Sequence, residues 1–438
     1  MLKINKKDIL FIAFTILYKI ILQTIFMSII YPIYFNTSLR LEKNNSYYFL
    51  GWIMIILGSY WASKELSKKK MSSNIMVLLF LFAFVPSLIL AGVIYTKFFF
   101  EIILYFFVLL FVYYVVPDFS FKRPRKIFLK PAIYIGISIL SIVIVYIWYK
   151  YAGHRLTLDV SDIYVVRAEA SLNNMPTVFR YIYISAKNFL PLVIVYFLHQ
   201  KKIFLFIWTI LLQYMVFLYD GSKTTIATFL LSVLCYIGYK YIKNFEHFYP
   251  LFTTGLCFVS YLEHIFVGSI NIIHYFIRRT IIVPAAIHYY YFDFFSENQF
   301  DFFKGTILRR IGFESVYSDI GIPKTIGKIY AGTIDNSMNN GLFSDAFSNM
   351  GYIGIVVMPI LIVLVIKIFQ AVSYDLPLYI PASCLFMIIF TIISNSYWSY
   401  FITHGFIFMI IILYLWPREN NITTIGEESK VCTKIKSY

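Results

Sequence analysis

The chain has 438 residues, of which 60% are hydrophobic, 20% are aromatic and 14% are charged, and its mean hydropathy is +0.74. This composition excludes a soluble globular protein, because a water-exposed surface requires a larger share of polar side chains. The formal net charge of +16 does not indicate nucleic-acid binding, since the basic residues form short clusters between apolar stretches. The sequence therefore predicts an all-α polytopic membrane protein that binds no nucleic acid.

Twelve apolar stretches predict about twelve transmembrane helices. A bilayer core is about 30 Å thick and takes about 20 residues of helix, and backbone groups inside it must bond to one another. The first stretch follows Lys3, Lys6 and Lys7 as in a signal peptide, but it is long and lacks a small-residue cleavage pattern, so we expect a retained helix. The predicted spans are 9–30, 47–62, 74–94, 98–116, 131–150, 182–198, 203–219, 225–241, 249–270, 351–371, 377–394 and 397–416.

Clusters of basic residues set the predicted orientation of these spans. The clusters at 64–70, 122–126, 201–202 and 240–243 all fall on the side that carries the lysine-rich N-terminus. Positive charge in short loops marks the cytoplasmic side of a membrane protein. We therefore expect residues 1–416 to form one integral membrane domain with both termini in the cytoplasm, followed by a cytoplasmic tail at 417–438.

Two of the predicted external loops are long, at residues 151–181 and 271–350. Loops longer than about 12–15 residues usually carry function or are disordered. The second loop is too aromatic for a disordered segment. We expect it to fold back onto the membrane, with amphipathic helices lying in the headgroup layer. Its aromatic residues include Tyr289, Tyr290, Tyr291, Phe292, Phe294, Phe295, Phe302 and Phe303.

The arginines are distributed differently from the lysines. Eight of the eleven arginines fall on the predicted external side, whereas most of the 27 lysines fall on the cytoplasmic side. A guanidinium group binds phosphate through two parallel hydrogen bonds, which an ammonium group does not. A single external arginine is as well explained by a solvated or ion-paired position. As a set they predict a site for the pyrophosphate of a lipid, made by Arg167, Arg180, Arg278, Arg279, Arg309 and Arg310.

Lys223 is a further candidate for pyrophosphate binding. It follows Gly221 and Ser222 at a predicted external helix junction. A helix N-terminus beside a lysine suits an anion, although glycine and serine before an apolar run also form an ordinary turn and helix cap. The segment is not a nucleotide-binding P-loop, because the upstream glycine and the preceding strand are missing.

Three residues are candidates for catalysis: Asp345, His404 and Glu169. Asp345 and Asn349 are four residues apart, so on a helix they share one face at the membrane surface. His404 lies within the last predicted span, where an ionisable residue is a functional candidate by default. A neutral histidine bonded to a neighbouring helix is the alternative.

Several other residues are also candidates for the general base. Among them is His288, in the long external loop. The others are Asp293, Glu314 and Asp319.

The four cysteines predict neither disulfides nor a metal site, and the sequence indicates no cofactor. Cys235, Cys257, Cys384 and Cys432 lie in predicted spans or in the tail. They form no CxxC pair and have no neighbouring histidine ligands.

The chain has twelve predicted spans, a medium third and a dominant fifth external loop with arginines in both, and the closing segment Asn340-Gly341…Asp345…Gly351…Gly354. In these features it resembles the O-antigen polymerase family over nearly the whole chain. The resemblance implies a GT-C-like architecture in the bacterial inner (plasma) membrane with an active site facing the periplasm or exterior. It also implies a metal-independent glycosyltransferase that builds lipopolysaccharide or capsule polysaccharide.

In that family the growing glycan is transferred from undecaprenyl pyrophosphate to the non-reducing end of an incoming undecaprenyl-pyrophosphate-linked repeat unit. The implied partners are this lipid-linked oligosaccharide, membrane lipid, a chain-length regulator and a flippase. External arginines suit the reaction, because negative charge grows on the departing pyrophosphate. A general base is still needed for the acceptor hydroxyl.

Two alternatives stay open. An O-antigen ligase uses the same donor and has a similar topology. A lipid-linked oligosaccharide flippase also commonly has twelve spans, but flippases generally carry charged groups inside the helical bundle and have short loops. In this sequence Lys19 is nearly the only basic residue deep in a predicted span.

Overall fold

The computed structural model describes residues 5–121, 129–156 and 163–418. These residues are mainly helical, with an isolated β-bridge between Leu41 and Ile94. The basic cluster at 122–126, Cys432 and the tail from residue 419 lie outside the described residues, as does part of the first long loop at 157–162.

The described residues contain seventeen α-helices, and each predicted span overlaps at least one of them. They are α1 (Lys6–Ile25), α2 (Asn45–Leu66), α3 (Met71–Leu79), α4 (Val85–Ala91), α5 (Phe99–Val115), α6 (Leu129–Tyr151), α7 (Ile163–Leu172), α8 (Thr177–His199), α9 (Ile203–Asp220), α10 (Lys223–Tyr241), α11 (Tyr249–Val267), α12 (Val283–Glu297), α13 (Ile322–Ala331), α14 (Leu342–Ser373), α15 (Tyr379–Ala382), α16 (Leu385–Ser394) and α17 (Phe406–Leu415). Wider π-helical turns occupy Phe26–Phe35, Phe80–Phe84, Ile273–Ile282 and Ser399–Thr403. Short 3-10 helices occupy Phe245–Phe248 and Leu308–Ile311.

Five of the described helical stretches are long and apolar enough to cross a membrane. A sixth is added if the bent pair Thr177–Lys187 and Phe189–His199 is one span. The chain is therefore an all-α membrane protein. The five stretches are Lys6–Phe35, Met71–Ala91, Pro131–Tyr151, Phe245–Val267 and Leu342–Ser373. Shorter apolar helices occupy Phe99–Val115, Ile203–Tyr219, Thr225–Tyr241, Leu385–Ser394 and Phe406–Leu415.

The helices pack into one bundle around a buried central pair. The stretch Met71–Ala91, which contains α3 and α4, is completely buried. Around it, α14 packs on α5 and α12, and α1 packs on α2 and α11. A second, smaller core joins α6, α8 and α9 through residues such as Ile144, Tyr183 and Leu212. The bundle thus has a fully enclosed centre and a side assembly built on α8.

One end of the bundle, which we call the lysine-rich end, is held by ion pairs. Asp118 accepts hydrogen bonds from Lys70 at 2.7 Å and from Lys367 at 2.8 Å. Burial would raise the pKa of Asp118, but the bonds from the two lysines outweigh it and lower the pKa. Asp8 pairs with Lys64 at 2.5 Å. The segments between α11 and α14 lie at the opposite end, which we call the loop end.

The long loop at 271–350 is more deeply anchored than the sequence predicts. The sequence predicts amphipathic helices on the membrane surface in this loop, but ten of the fifteen residues of α12 are buried. The Tyr289 hydroxyl donates to the carbonyl of Ser87 at 2.7 Å, which ties α12 to α4. Helix α13 is closer to the expected amphipathic helix, since Ile326 is buried while Lys324 and Lys328 are exposed.

Helix α14 is broken near its start by a glycine. Gly351 has φ 56° and ψ −137°, which residues with a side chain rarely adopt. A Cβ atom on Gly354 would lie 2.0 Å from the carbonyl oxygen of Ala346. The two glycines therefore permit a sharp kink at the point where the sequence predicts that the membrane span begins.

We expect Gly351→Ala to lower the free energy of unfolding by about 1–3 kcal/mol, because it places a side chain at a strained backbone position. The same residue would also contact the ring of Phe300, whose nearest atom lies 2.6 Å from the added Cβ. The measurement is unfolding of the purified protein in detergent, followed by circular dichroism. Gly136→Ala is the matched control, since its Cβ meets open space on α6. Equal stability of the two variants would contradict the role of the kink.

Candidate functional site

Helix α8 brings the two long loops together at the loop end. Its first turns carry Arg180 and Tyr181, which end the predicted loop 151–181. From the other long loop, Arg310 donates a hydrogen bond to the Tyr181 hydroxyl at 2.7 Å, and its guanidinium lies 5.7 Å from the ring centroid. Arg180 and Arg310 are both exposed. Arg310, from one long loop, thus contacts the residue that follows Arg180, at the end of the other long loop.

Below this contact α8 bends by 52° between Lys187 and Phe189. Pro191 has no N–H group, so it cannot donate to the carbonyl of Lys187 as a regular helix requires. Gln213 of α9 donates to that carbonyl instead, through Nε2 at 3.4 Å. The same nitrogen donates to the carbonyl of Thr225 at 2.9 Å. The bend is therefore tied to the junction of α9 and α10.

Two buried polar atoms beside the bend have no hydrogen-bond partner within the described part of the chain. They are Gln213 Oε1 and Thr225 Oγ1. Both residues are buried, with exposed fractions of 4% and 1%. A buried polar atom without a partner is costly and usually marks the place of a water molecule or ligand.

Helix α10 begins close to the bend of α8, at the junction of α9 and α10. Gly221 adopts a left-handed conformation with φ 62°, and Ser222 precedes the first residue of α10. The Tyr219 ring packs against Tyr183 of α8 with centroids 4.7 Å apart. The first N–H groups of α10 suit an anion. Lys223 begins α10 as predicted for a helix junction, and its side chain lies outside the described residues.

His404 faces the first half of α8 from the other side. It follows the π-helical turn Ser399–Thr403, and Gly405 behind it has φ 79°. A Cβ on Gly405 would lie 2.8 Å from the carbonyl oxygen of Ser185, so the glycine allows this close approach. His404 also interacts electrostatically with Lys187. A second break in a membrane helix therefore lies against α8, just above its bend.

Lys187 completes this group, and sequence reasoning missed it. It lies within the predicted span 182–198, four residues before Pro191, and this spacing was the available indication of a broken helix. Its ammonium lies 4.8 Å from the ring centroid of Tyr183. Tyr183 is one helical turn before Lys187, on the way to Tyr181. We call Arg180, Tyr181, Lys187, Arg310 and His404 the α8 site.

Other predicted phosphate ligands lie elsewhere. The guanidinium of Arg278 lies over the ring of Tyr34, 4.2 Å from its centroid, beside the extension of α1. Arg279 follows it and is exposed, and Arg309 is exposed next to Arg310. The side chain of Arg167 lies outside the described residues. Binding of pyrophosphate by these arginines stays a prediction.

Glu169 forms an ion pair with Arg155, within the first long loop. Its carboxylate is about half exposed, since its side-chain exposure is 52%. The pair fixes α7 to the end of α6. A catalytic role for Glu169 stays a prediction.

Asp345 is buried and fully engaged by hydrogen bonds. Its Oδ2 accepts from the backbone N–H of Tyr397 at 2.8 Å. Its Oδ1 accepts from the side-chain amides of Asn349 at 3.1 Å and Asn340 at 3.3 Å. The carboxylate therefore joins the start of α14, the end of the long loop and the connection between α16 and α17. These contacts give Asp345 a structural role, and its predicted catalytic role stays a prediction.

His288 lies next to this network. Its Nδ1 is 2.9 Å from the Oγ of Ser344, and burial lowers the pKa of His288 to about 3. The imidazole is therefore neutral at physiological pH. Its position inside α12 separates it from the exposed arginines of the α8 site.

No protein-family model, curated protein or solved structure matches the chain.

We expect Asp345→Ala to destabilise the protein strongly, by about 1–3 kcal/mol for each buried donor left unpaired. Asp345→Asn keeps one acceptor oxygen and should be less damaging. The measurement is unfolding in detergent for both variants, with Asp319→Ala as control because Asp319 is exposed. An Asp345→Ala protein that keeps wild-type stability but loses activity would favour catalysis over structure.

Proposed function

We propose that the chain is a metal-independent glycosyltransferase that polymerises lipid-linked oligosaccharide repeat units in the bacterial inner membrane. In this proposal it crosses the membrane about twelve times in a GT-C-like arrangement, with the lysine-rich end in the cytoplasm and the loop end outside. The observation that carries the proposal is the bond from Arg310 to Tyr181, beside Arg180. This bond brings Arg310, from one long loop, to the residue that follows Arg180, at the end of the other long loop.

The charges of the α8 site suit a diphosphate. Arg180 and Arg310 are exposed at the end of α8, and the Lys187 ammonium points back toward them over Tyr183. Guanidinium groups bind phosphate oxygens in pairs, and an ammonium adds a point charge. The N-terminus of α10 adds further donors nearby. These groups would stabilise the negative charge that builds up on the departing pyrophosphate.

The reaction needs a base as well as these cations. A hydroxyl at the non-reducing end of the incoming unit attacks the anomeric carbon of the growing glycan. The new glycosidic C–O bond forms as the bond to pyrophosphate breaks, and undecaprenyl pyrophosphate leaves with the electron pair. The hydroxyl proton passes to a base. Among the predicted candidates, His404 is the one that interacts with a cation of the α8 site, Lys187.

The flippase alternative is favoured by one observation. Lys19 and Lys187 both lie within helices of the bundle, and charged groups there are typical of transport pathways. The long, anchored loop at 271–350 favours the polymerase instead, because it supplies Arg310 to the site.

We expect Arg310→Ala and Arg180→Ala each to lower the rate of polymerisation about 10²-fold, since each removes a positioned donor to the developing charge. In cells, such variants should leave single repeat units on the acceptor and no long polysaccharide. The measurement is a gel of surface glycan from a deletion strain that carries each variant. Arg40→Ala is the control, because Arg40 is an exposed arginine paired with Glu42 at 3.1 Å. Normal chain lengths in both site variants would contradict the proposal.

The deletion strain itself separates the three functions. Loss of a polymerase leaves one capped repeat unit, loss of a ligase leaves long polymer that is not attached, and loss of a flippase leaves units inside the cell. The last two results would each overturn the polymerase proposal.

We expect His404→Gln to lower kcat about 10²-fold while KM changes little, because a general base acts in the transition state rather than in binding. The assay uses purified protein and lipid-linked repeat units, with kcat followed against pH. The wild-type rate should fall on the acidic side as the base is protonated, and the variant should lack this limb. His154→Asn is the control, an exposed histidine with φ 56° in the first long loop. An unchanged pH profile in His404→Gln would exclude His404 as the base.

A further inference from the structure

A second cationic site lies between α1 and α2, outside the α8 site. It is a groove of about 300 Å³. Its polar lining comes from Lys19, Gln23, Thr24, Ser28, Tyr48 and Trp52. A polar groove on a membrane helix needs a physical reason, since polar groups that face lipid are costly.

Lys19 is the central residue of the groove. Its exposed fraction is 3%, and its ammonium donates to Gln23 Oε1 at 2.6 Å. The same ammonium lies 3.8 Å from the ring centroid of Trp52 and 4.4 Å from that of Tyr48. All three partners are neutral, and within the described chain Lys19 pairs with no carboxylate. Aromatic rings offset part of the cost of burying the charge, but an anion would offset far more.

Lys43 holds a second ammonium beside the groove, although it does not line the groove itself. It lies 4.5 Å from the ring centroid of Tyr48, which Lys19 also contacts. The two positive charges repel each other. Two ammonium groups around one ring favour a ligand with more than one negative charge.

The groove lies near the loop end of the bundle. Helices α1 and α2 run antiparallel, since Asp8 contacts Lys64 at one end and Lys19 contacts Trp52 further along. Tyr48 lies in the first turn of α2, so the ammonium groups lie within about two turns of that helix end. The outer surface is apolar and open, with exposed fractions of 47% for Ile20 and 67% for Phe49.

We propose that this groove binds the pyrophosphate headgroup of a membrane lipid, with the lipid chain along Ile20, Met27 and Phe49. The two ammonium groups contact the phosphate oxygens, and Gln23, Thr24 and Ser28 offer hydrogen bonds. The identity of the lipid rests on the proposed function, in which a polyprenyl pyrophosphate is both carrier and product. The groove would then hold a second lipid in the leaflet from which the α8 site is supplied.

The test counts bound lipids on the full-length protein by native mass spectrometry from phosphatidylcholine nanodiscs. Undecaprenyl pyrophosphate is the probe. We expect two lipids on the wild type, one on Lys19→Met, one on Arg310→Ala and none on the double variant. Affinity for the groove should fall about tenfold or more in Lys19→Met, because a charge-assisted hydrogen bond is lost. Lys19→Arg should keep binding, and Lys328→Met, an exposed lysine on α13, is the control.

The outcomes separate this proposal from the proposed function. Two lipids on Lys19→Met would overturn the groove. One lipid on Lys19→Met together with two on Arg310→Ala would support the groove and contradict the α8 site. If Lys19→Met fails to fold, Lys43→Gln is the substitute variant. Unchanged lipid binding in Lys43→Gln would overturn the proposal that two ammonium groups bind the headgroup. Equal binding of phosphatidylglycerol and undecaprenyl pyrophosphate would overturn the assignment to a pyrophosphate lipid.

Discussion

Pro191 lacks the N–H group that would bond to the carbonyl oxygen of Lys187 in a regular helix. Inside a membrane no water replaces that bond, so another helix must supply it. Gln213 does so from α9 and also reaches α10 through Thr225. This bond holds the bend of α8 against the junction of α9 and α10. The two bonds from Gln213 connect Lys187, a residue of the α8 site, with the start of α10.

Glycines produce the other breaks that complete this arrangement. Gly405 lets the last helix approach the backbone of Ser185, and Gly221 ends α9 so that α10 starts beside α8. Gly351 kinks α14 and separates its buried first turns from the membrane span. The break at Gly221 lies directly before the N-terminus of α10, whereas the polar residues before Gly351 are buried. The breaks place polar groups within an otherwise apolar bundle.

Charged side chains in the bundle are held in two ways, by carboxylates and by aromatic rings. At the lysine-rich end, Lys70 and Lys367 are bound to Asp118. At the loop end, Arg310 and Arg278 instead lie against the tyrosines Tyr181 and Tyr34. An aromatic ring steadies a guanidinium without neutralising its charge. The same principle applies to Lys19, which lies between aromatic rings in the groove of α1 and α2.

The amino-acid sequence was enough to predict the all-α membrane class, because its composition and long apolar stretches leave helices as the stable solution. It also selected Arg180, Arg310 and His404. The packing of the helices was needed to show that these residues lie around α8 with Lys187, and that Asp345 is buried in a hydrogen-bond network. Hydropathy is a local average along the chain, so it misses breaks within a helix. Contacts between distant segments depend on which helices pack together, and single-sequence periodicity carries no such information.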